Sequence, residues 1–255
     1  MNELITAATV ATALKSSLVE KAYDDMLSPF CKEIGALGGD LGKAARLLID
    51  PLQIATTFQD RLKCFFTNLN ARVPEERRVP IPAEISGPSL QAMQYLELEN
   101  PLWKMFEELL IKSADSESAS KAHPSFAHII KQLSRDEAFI LHKLTQGAFE
   151  FIGTMDLDHT INRFINKKYE KWSFPSEELF VPDAFGLYYN HLESLSLVRW
   201  PIYNQEPIFD SNHQQTGTRE FSRIHLTEFG ILFTEACIPQ NGFSNSENEE
   251  MPAMP

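Results

Sequence analysis

Apolar positions recur with a helical period through most of the chain. The pattern is clearest between Pro101 and Leu141, where Trp103, Phe106, Leu109 and Leu110 fall on one helical face and Lys104, Glu107 and Glu108 on the others. A polar Ser/Asp/Glu linker follows. Pro124 then suits the first turn of a helix on which Phe126, Ile129, Ile130 and Leu133 recur. Ser134 and Glu137 form a capping box and predict a helix over 134–152 carrying Phe139, Ile140, Leu141 and Leu144. Upstream, residues 3–27, 29–49 and 52–73 read as amphipathic helices, and 89–98 as a shorter one. Between them PEERRVPIPAEISGP at 74–88, with four prolines, predicts an extended surface connector.

Beyond residue 152 the character changes. Residues 158–172 are predicted helical and 173–182 a loop, and Asp183 then caps a helix carrying Leu187, Tyr188, Leu192 and Leu195. Apolar and aromatic residues next fall near alternating positions on both sides of a polar Asn/Gln/Gly turn, which predicts one β-hairpin over 198–224. Thr227 is the expected N-cap of a closing helix that runs to Ile238. Helix, helix, two-stranded wing and closing helix is the order of a winged-helix domain. The expected fold is therefore mainly α: an N-terminal helical region (1–120), a winged-helix-like α+β region (121–239) and a disordered acidic tail (240–255).

Composition narrows the class without naming an activity. The hydrophobic share of 43% and charged share of 23% are those of an ordinary soluble protein. A net charge of −12, spread along the chain, disfavours non-specific nucleic-acid binding, which draws its affinity from concentrated positive charge. Only Arg77-Arg78 and the Lys167, Lys168, Lys171 cluster are locally basic. Cys31, Cys64 and Cys237, odd in number and set in apolar surroundings, suit reduced, buried thiols. No secretory signal and no apolar run long enough to span a membrane is visible, so a cytoplasmic protein is expected.

Candidate chemistry is sparse. GGDLGKAA at 38–45 lacks the first glycine and the closing Ser/Thr of a phosphate-binding loop, so Gly35, Gly38, Gly39 and Gly42 read as a helix-packing stripe. Asp156, Asp158 and His159 could ligate a cation, but Asp158 before a predicted helix is a natural N-cap. His123 and His128 are five apart, which spoils a shared helical metal site; His123 suits the helix entrance and His128 its polar face. Phe65-Phe66, Phe149, Phe151, Phe229 and Phe233 read as core. No nucleophile elbow or oxyanion motif marks an enzyme, no metal or cofactor is called for, and an enzyme with an unmarked site ranks third. A DNA-binding regulator ranks second. Its contacts would be Asn190, His191, Arg199, Arg219 and Arg223, yet the presumed recognition helix carries Asp183 and Glu193 and no basic residue before Arg199.

Several collinear blocks resemble the bacterial abortive-infection alpha family. They are YDDMLSP at 23–29, EIGALGGDLGKAARLLIDPLQ at 33–53, PEERRVPIPAEISGP at 74–88, NPLWKMFEELL at 100–110, AHPSFAHIIKQLSRDEAFIL at 122–141 and LTEFGILFTEACI at 226–238. The resemblance implies a role in anti-phage defence and brings no catalytic residue with it. The leading expectation is accordingly a defence protein that acts through contact with a protein partner, a phage component or a neighbouring defence component. Nucleic acid is not the expected partner.

Overall fold

The computed structural model describes residues 52–243. The helices expected over 3–27 and 29–49, the glycine stripe, Cys31 and almost all of the acidic tail lie outside the described residues. Two compact units are present. One comprises the described residues up to Gln94 together with Leu110–Ser120, the other Tyr95–Leu109 together with the described residues from Lys121 onward.

The first unit contains α1 (Leu52–Arg72) and α2 (Ala83–Met93). Phe58, Leu62, Phe65, Phe66 and Leu69 of α1 are buried at the three- and four-residue spacing of a helical stripe. The 74–88 segment is not an extended connector. It forms a short 3-10 turn over Glu75–Arg77 and then starts α2, with Pro88 inside the helix. Pro88 is the sixth residue of this helix and lacks the N–H that would donate to the Glu84 carbonyl, so α2 carries it at the loss of one backbone bond. The helix expected over 89–98 is displaced upstream, to 83–93. Arg77 donates from Nε to Asp115 at 2.9 Å and pairs with Glu117 at 3.0 Å, while Arg78 donates to the Val73 carbonyl at 3.0 Å.

Helix α3 (Pro101–Ser113) buries Trp103, Met105, Phe106, Leu109 and Leu110. Glu108, expected on a polar face, is also buried, being 1% exposed. In the second unit α4 (Pro124–Ile130) is capped by His123, whose ring accepts the Ser125 N–H. Helix α5 (Arg135–Gln146) opens with the expected capping box: Glu137 N–H donates to Ser134 Oγ and Ser134 N–H to Glu137 Oε2. It ends earlier than expected, at Gly147, whose φ of +152° suits glycine.

The mainly α, winged-helix expectation is overturned here. Residues 149–172 form a second hairpin, β1 (Phe149–Asp158) and β2 (Arg163–Trp172), in place of the end of one helix and the whole of another. Then come α6 (Phe185–Ser194), β3 (Val198–Arg199), β4 (Ile202–Phe209), β5 (Gln215–Leu226) and α7 (Glu228–Cys237). The five strands make one antiparallel sheet in which β5 is central, pairing with β1, β3 and β4. The fold is α+β. Two bulges in the β1–β2 pairing, one beside Asn166 at φ 56°, break the two-residue alternation that would have marked the strands. Asp183 caps no helix by its side chain; it lies in a 3-10 turn ahead of α6. Thr227 does cap α7, accepting the Gly230 N–H at 2.8 Å, and the 198–224 hairpin is present as β4–β5.

Candidate functional site

Strands β1 and β5 pair without a register shift from Phe149↔Ile224 to Asp156↔Gly217, and directly opposed residues share a face of the sheet. One face carries Phe151, Gly153 and Met155 with Ser222, Glu220 and Thr218. The other carries Glu150, Ile152 and Thr154 with Arg223, Phe221 and Arg219.

The first face is filled at one end by aromatic rings. The Phe151 ring lies 4.7 Å from Trp172 and 4.4 Å from Trp200, centre to centre, and α6 adds Phe185, 5.1 Å from Trp172, and Tyr189, 5.3 Å from Trp200. Both indole N–H groups are satisfied, by Ser176 and Ser222. Further along the same face, buried Glu220 accepts from Lys167 Nζ at 3.0 Å and from Gln205 at 2.9 Å. A Cβ at Gly153 would meet Lys167 Cε at 3.3 Å, so the glycine gives the lysine stem room to cross the sheet.

A polar joint connects α5 to α6. Buried Asp136 accepts the backbone N–H groups of Phe180 (2.8 Å) and Val181 (3.1 Å) and the Tyr188 hydroxyl (2.8 Å). Burial, reinforced by that carboxylate, pushes the Tyr188 phenol up to about 12. Glu137, beyond its capping bond, holds His191 Nδ1 at 2.5 Å. A carboxylate-held imidazole can act as a general base only with a nucleophile or substrate proton in reach. Among the described residues the His191 ring makes no hydrogen bond to a Ser, Thr or Cys side chain. The capping box made half of this joint visible in the sequence; the second Glu137 oxygen, Asp136 and Tyr188 carried no local signal.

The proposed DNA contacts divide into two groups. Arg219 and Arg223 lie on one side of β5 together with His225, and Arg199 pairs with His225 across β3–β5. Asn190 and His191 ride on α6, which packs against the opposite face. Arg219 donates to Glu170 at 3.1 Å, and the Arg223 guanidinium sits 5.9 Å from the Tyr203 ring centre.

Asp158 does not start a helix. It ends β1 and closes the hairpin turn, accepting the Thr160 N–H at 2.8 Å, and the Thr160 hydroxyl and N–H hold its carboxyl below the usual range. Asp156 accepts from Asn166 at 3.1 Å, and His159 is exposed. No three His, Cys, Asp or Glu side chains among the described residues are grouped so as to hold a metal ion. His128 is exposed on α4. Cys237 is buried as expected, but Cys64 is exposed on α1. No described helix is long and apolar enough to cross a membrane.

The second basic cluster of the sequence falls on β2, an edge strand exposed along its whole length. Phe164, Ile165, Tyr169 and Trp172 stand on it 37–45% exposed. In the loop that follows and on α6, Phe180 and Leu187 are 88% and 69% exposed.

The sequence model of one protein family, abortive infection alpha, matches residues 54–237. No match was found among curated proteins or among solved structures.

Proposed function

The chain belongs to the abortive infection alpha family, which associates it with abortive infection in general, and from that premise we propose that it defends bacteria against phage by contacting another protein. The partner is a phage component or a neighbouring defence protein. The observation that carries this reading is the set of large apolar side chains on β2, on the Phe180 loop and on α6 that stay 37–88% exposed. Single exposed apolar residues are ordinary, but a strand edge lined with aromatics is a surface that association would bury. The polar joint at Asp136 and Glu137 serves as structure in this reading, because its oxygens are spent on backbone groups, a phenol and an imidazole.

Phage plating tests it. Expressed with its native neighbouring genes in a susceptible bacterium, the protein should lower plating efficiency or burst size. Protection should survive Asp156→Asn with His159→Ala, and should fall in a folded Phe180→Ser, Leu187→Ser variant. A wild-type protein that protects against no phage in a broad panel removes the defence reading. Protection abolished in a folded Asp156→Asn, His159→Ala variant replaces protein contact with chemistry at the hairpin.

A further inference from the structure

The open edge of the sheet has two chemically different sides. Across the β1–β2 pairing, Trp172 opposes Phe151, Tyr169 opposes Gly153 and Phe164 opposes Leu157, so these three aromatics share the face that carries the aromatic cluster. Lys171 opposes Ile152, Lys168 opposes Thr154, Ile165 opposes Asp156 and Arg163 opposes Asp158, which places three cations on the other face. Lys171 is met by Glu150 at 3.3 Å, whereas Arg163 and Lys168 make no ion pair with any described residue. On a chain of net charge −12, β2 itself carries four cations and one carboxylate, and its outer edge pairs with no described strand.

We infer that β2 receives an extended segment of a partner protein as a sixth strand, and that this segment alternates acidic with apolar residues. The inference rests on the protein-contact reading above and names its surface and the partner's chemistry. A strand edge offers both N–H donors and C=O acceptors, which an incoming peptide backbone satisfies and a phosphate backbone, having no donors, does not. Opposed side chains then decide the sequence: carboxylates beside Arg163, Lys168 and Lys171, apolar side chains beside Phe164, Tyr169 and Trp172. A second copy of β2, with four cations to one carboxylate, would bring like charge to like. Lysines and bulges also protect edges from pairing with their own kind, but such protection does not account for four exposed aromatic and aliphatic side chains on the same strand. The opposite edge is a poorer acceptor, because β4 contains Pro207, which lacks an N–H, and places Glu206 where a carboxylate would have to sit.

Titration of the full chain with a fluorescein-labelled octapeptide of alternating glutamate and valine, read by anisotropy, tests this directly. Saturable binding is expected, weakened by salt and by roughly tenfold or more in an Arg163→Glu, Lys168→Glu variant that melts like the parent. Both residues are exposed, so the variant keeps its core. Two further peptides, N-methylated at odd or at even positions, probe the backbone without altering the protein: one should lose binding and the other keep it. The inference is overturned by equal binding of a peptide with the same residues in two blocks, by equal binding of the lysine–valine peptide, or by indifference to both methylated forms. It is equally overturned if oligo-dT displaces the peptide and itself binds through Arg163 and Lys168, or if sedimentation shows a dimer that the charge reversal dissolves. No phage enters the titration, so a failed peptide leaves the defence reading to plating, and failed plating leaves the edge to the peptide.

Discussion

Asp136 is the side chain on which the α5–α6 joint turns, because one buried carboxylate satisfies two backbone N–H groups and a phenol. Asp136→Ala strands all three donors, and denaturant unfolding at pH 7 should show a loss of about 2–4 kcal/mol. Tyr188→Phe removes one donor and leaves the carboxylate its other bonds, so about 1 kcal/mol is expected. The raised Tyr188 phenol sets an alkaline limit. Stability from this group is whole below the ordinary tyrosine value of 10 and is lost as pH climbs toward 12; Tyr188→Phe should flatten that decline in a melting series. An acid limit comes from His142, whose protonation burial disfavours, with Lys143 adding repulsion. Its folded value lies below its ordinary 6.5, so its contribution is complete above that pH and fades as pH falls. His142→Gln should lose less melting temperature than wild type between pH 7.5 and 5.

At the scale of elements, the close approach of α7 to the segment before β3 depends on Gly230. A Cβ there would lie 2.0 Å from the Leu197 carbonyl oxygen, a backbone atom that cannot swing aside. Gly230→Ala should cost about 1–3 kcal/mol by overpacking, and Thr227→Ala about 1 kcal/mol by loss of the cap, both read by chemical denaturation. The cap at Thr227, the capping box at Ser134 and Glu137, Pro124 at the start of α4 and the β4–β5 hairpin were all legible, because each is a signal confined to a few neighbouring residues. The β1–β2 hairpin was not. Lys167, Lys168, Glu170 and Lys171 favour helix in isolation, and the bulges offset the strand period; only pairing with β5, more than fifty residues further on, decides the outcome. The same long-range pairing put Arg219 and Arg223 on the face opposite α6, which no local pattern could disclose.

For the molecule as a whole, the proposed reading, contact with a protein and not with nucleic acid, makes a prediction about DNA. At −12 overall, with Arg219 engaged by Glu170, duplex DNA should bind no tighter than non-specifically, on the order of 10⁻⁴–10⁻⁶ M at physiological salt. A filter-binding titration finding tight, sequence-selective affinity that Arg219→Ala with Arg223→Ala abolishes would reverse that ordering. Glu137 has a wider effect than its size suggests. One of its oxygens closes the first turn of α5 while the other holds His191 on α6, so neither helix can loosen at that point without exposing the carboxylate they share. Amide hydrogens at the start of α5, where a helix ordinarily frays and exchanges fast, should therefore exchange in step with those of α6, as one opening unit. Glu137→Gln keeps the cap but weakens the hold on His191, and should split that single exchange rate into two.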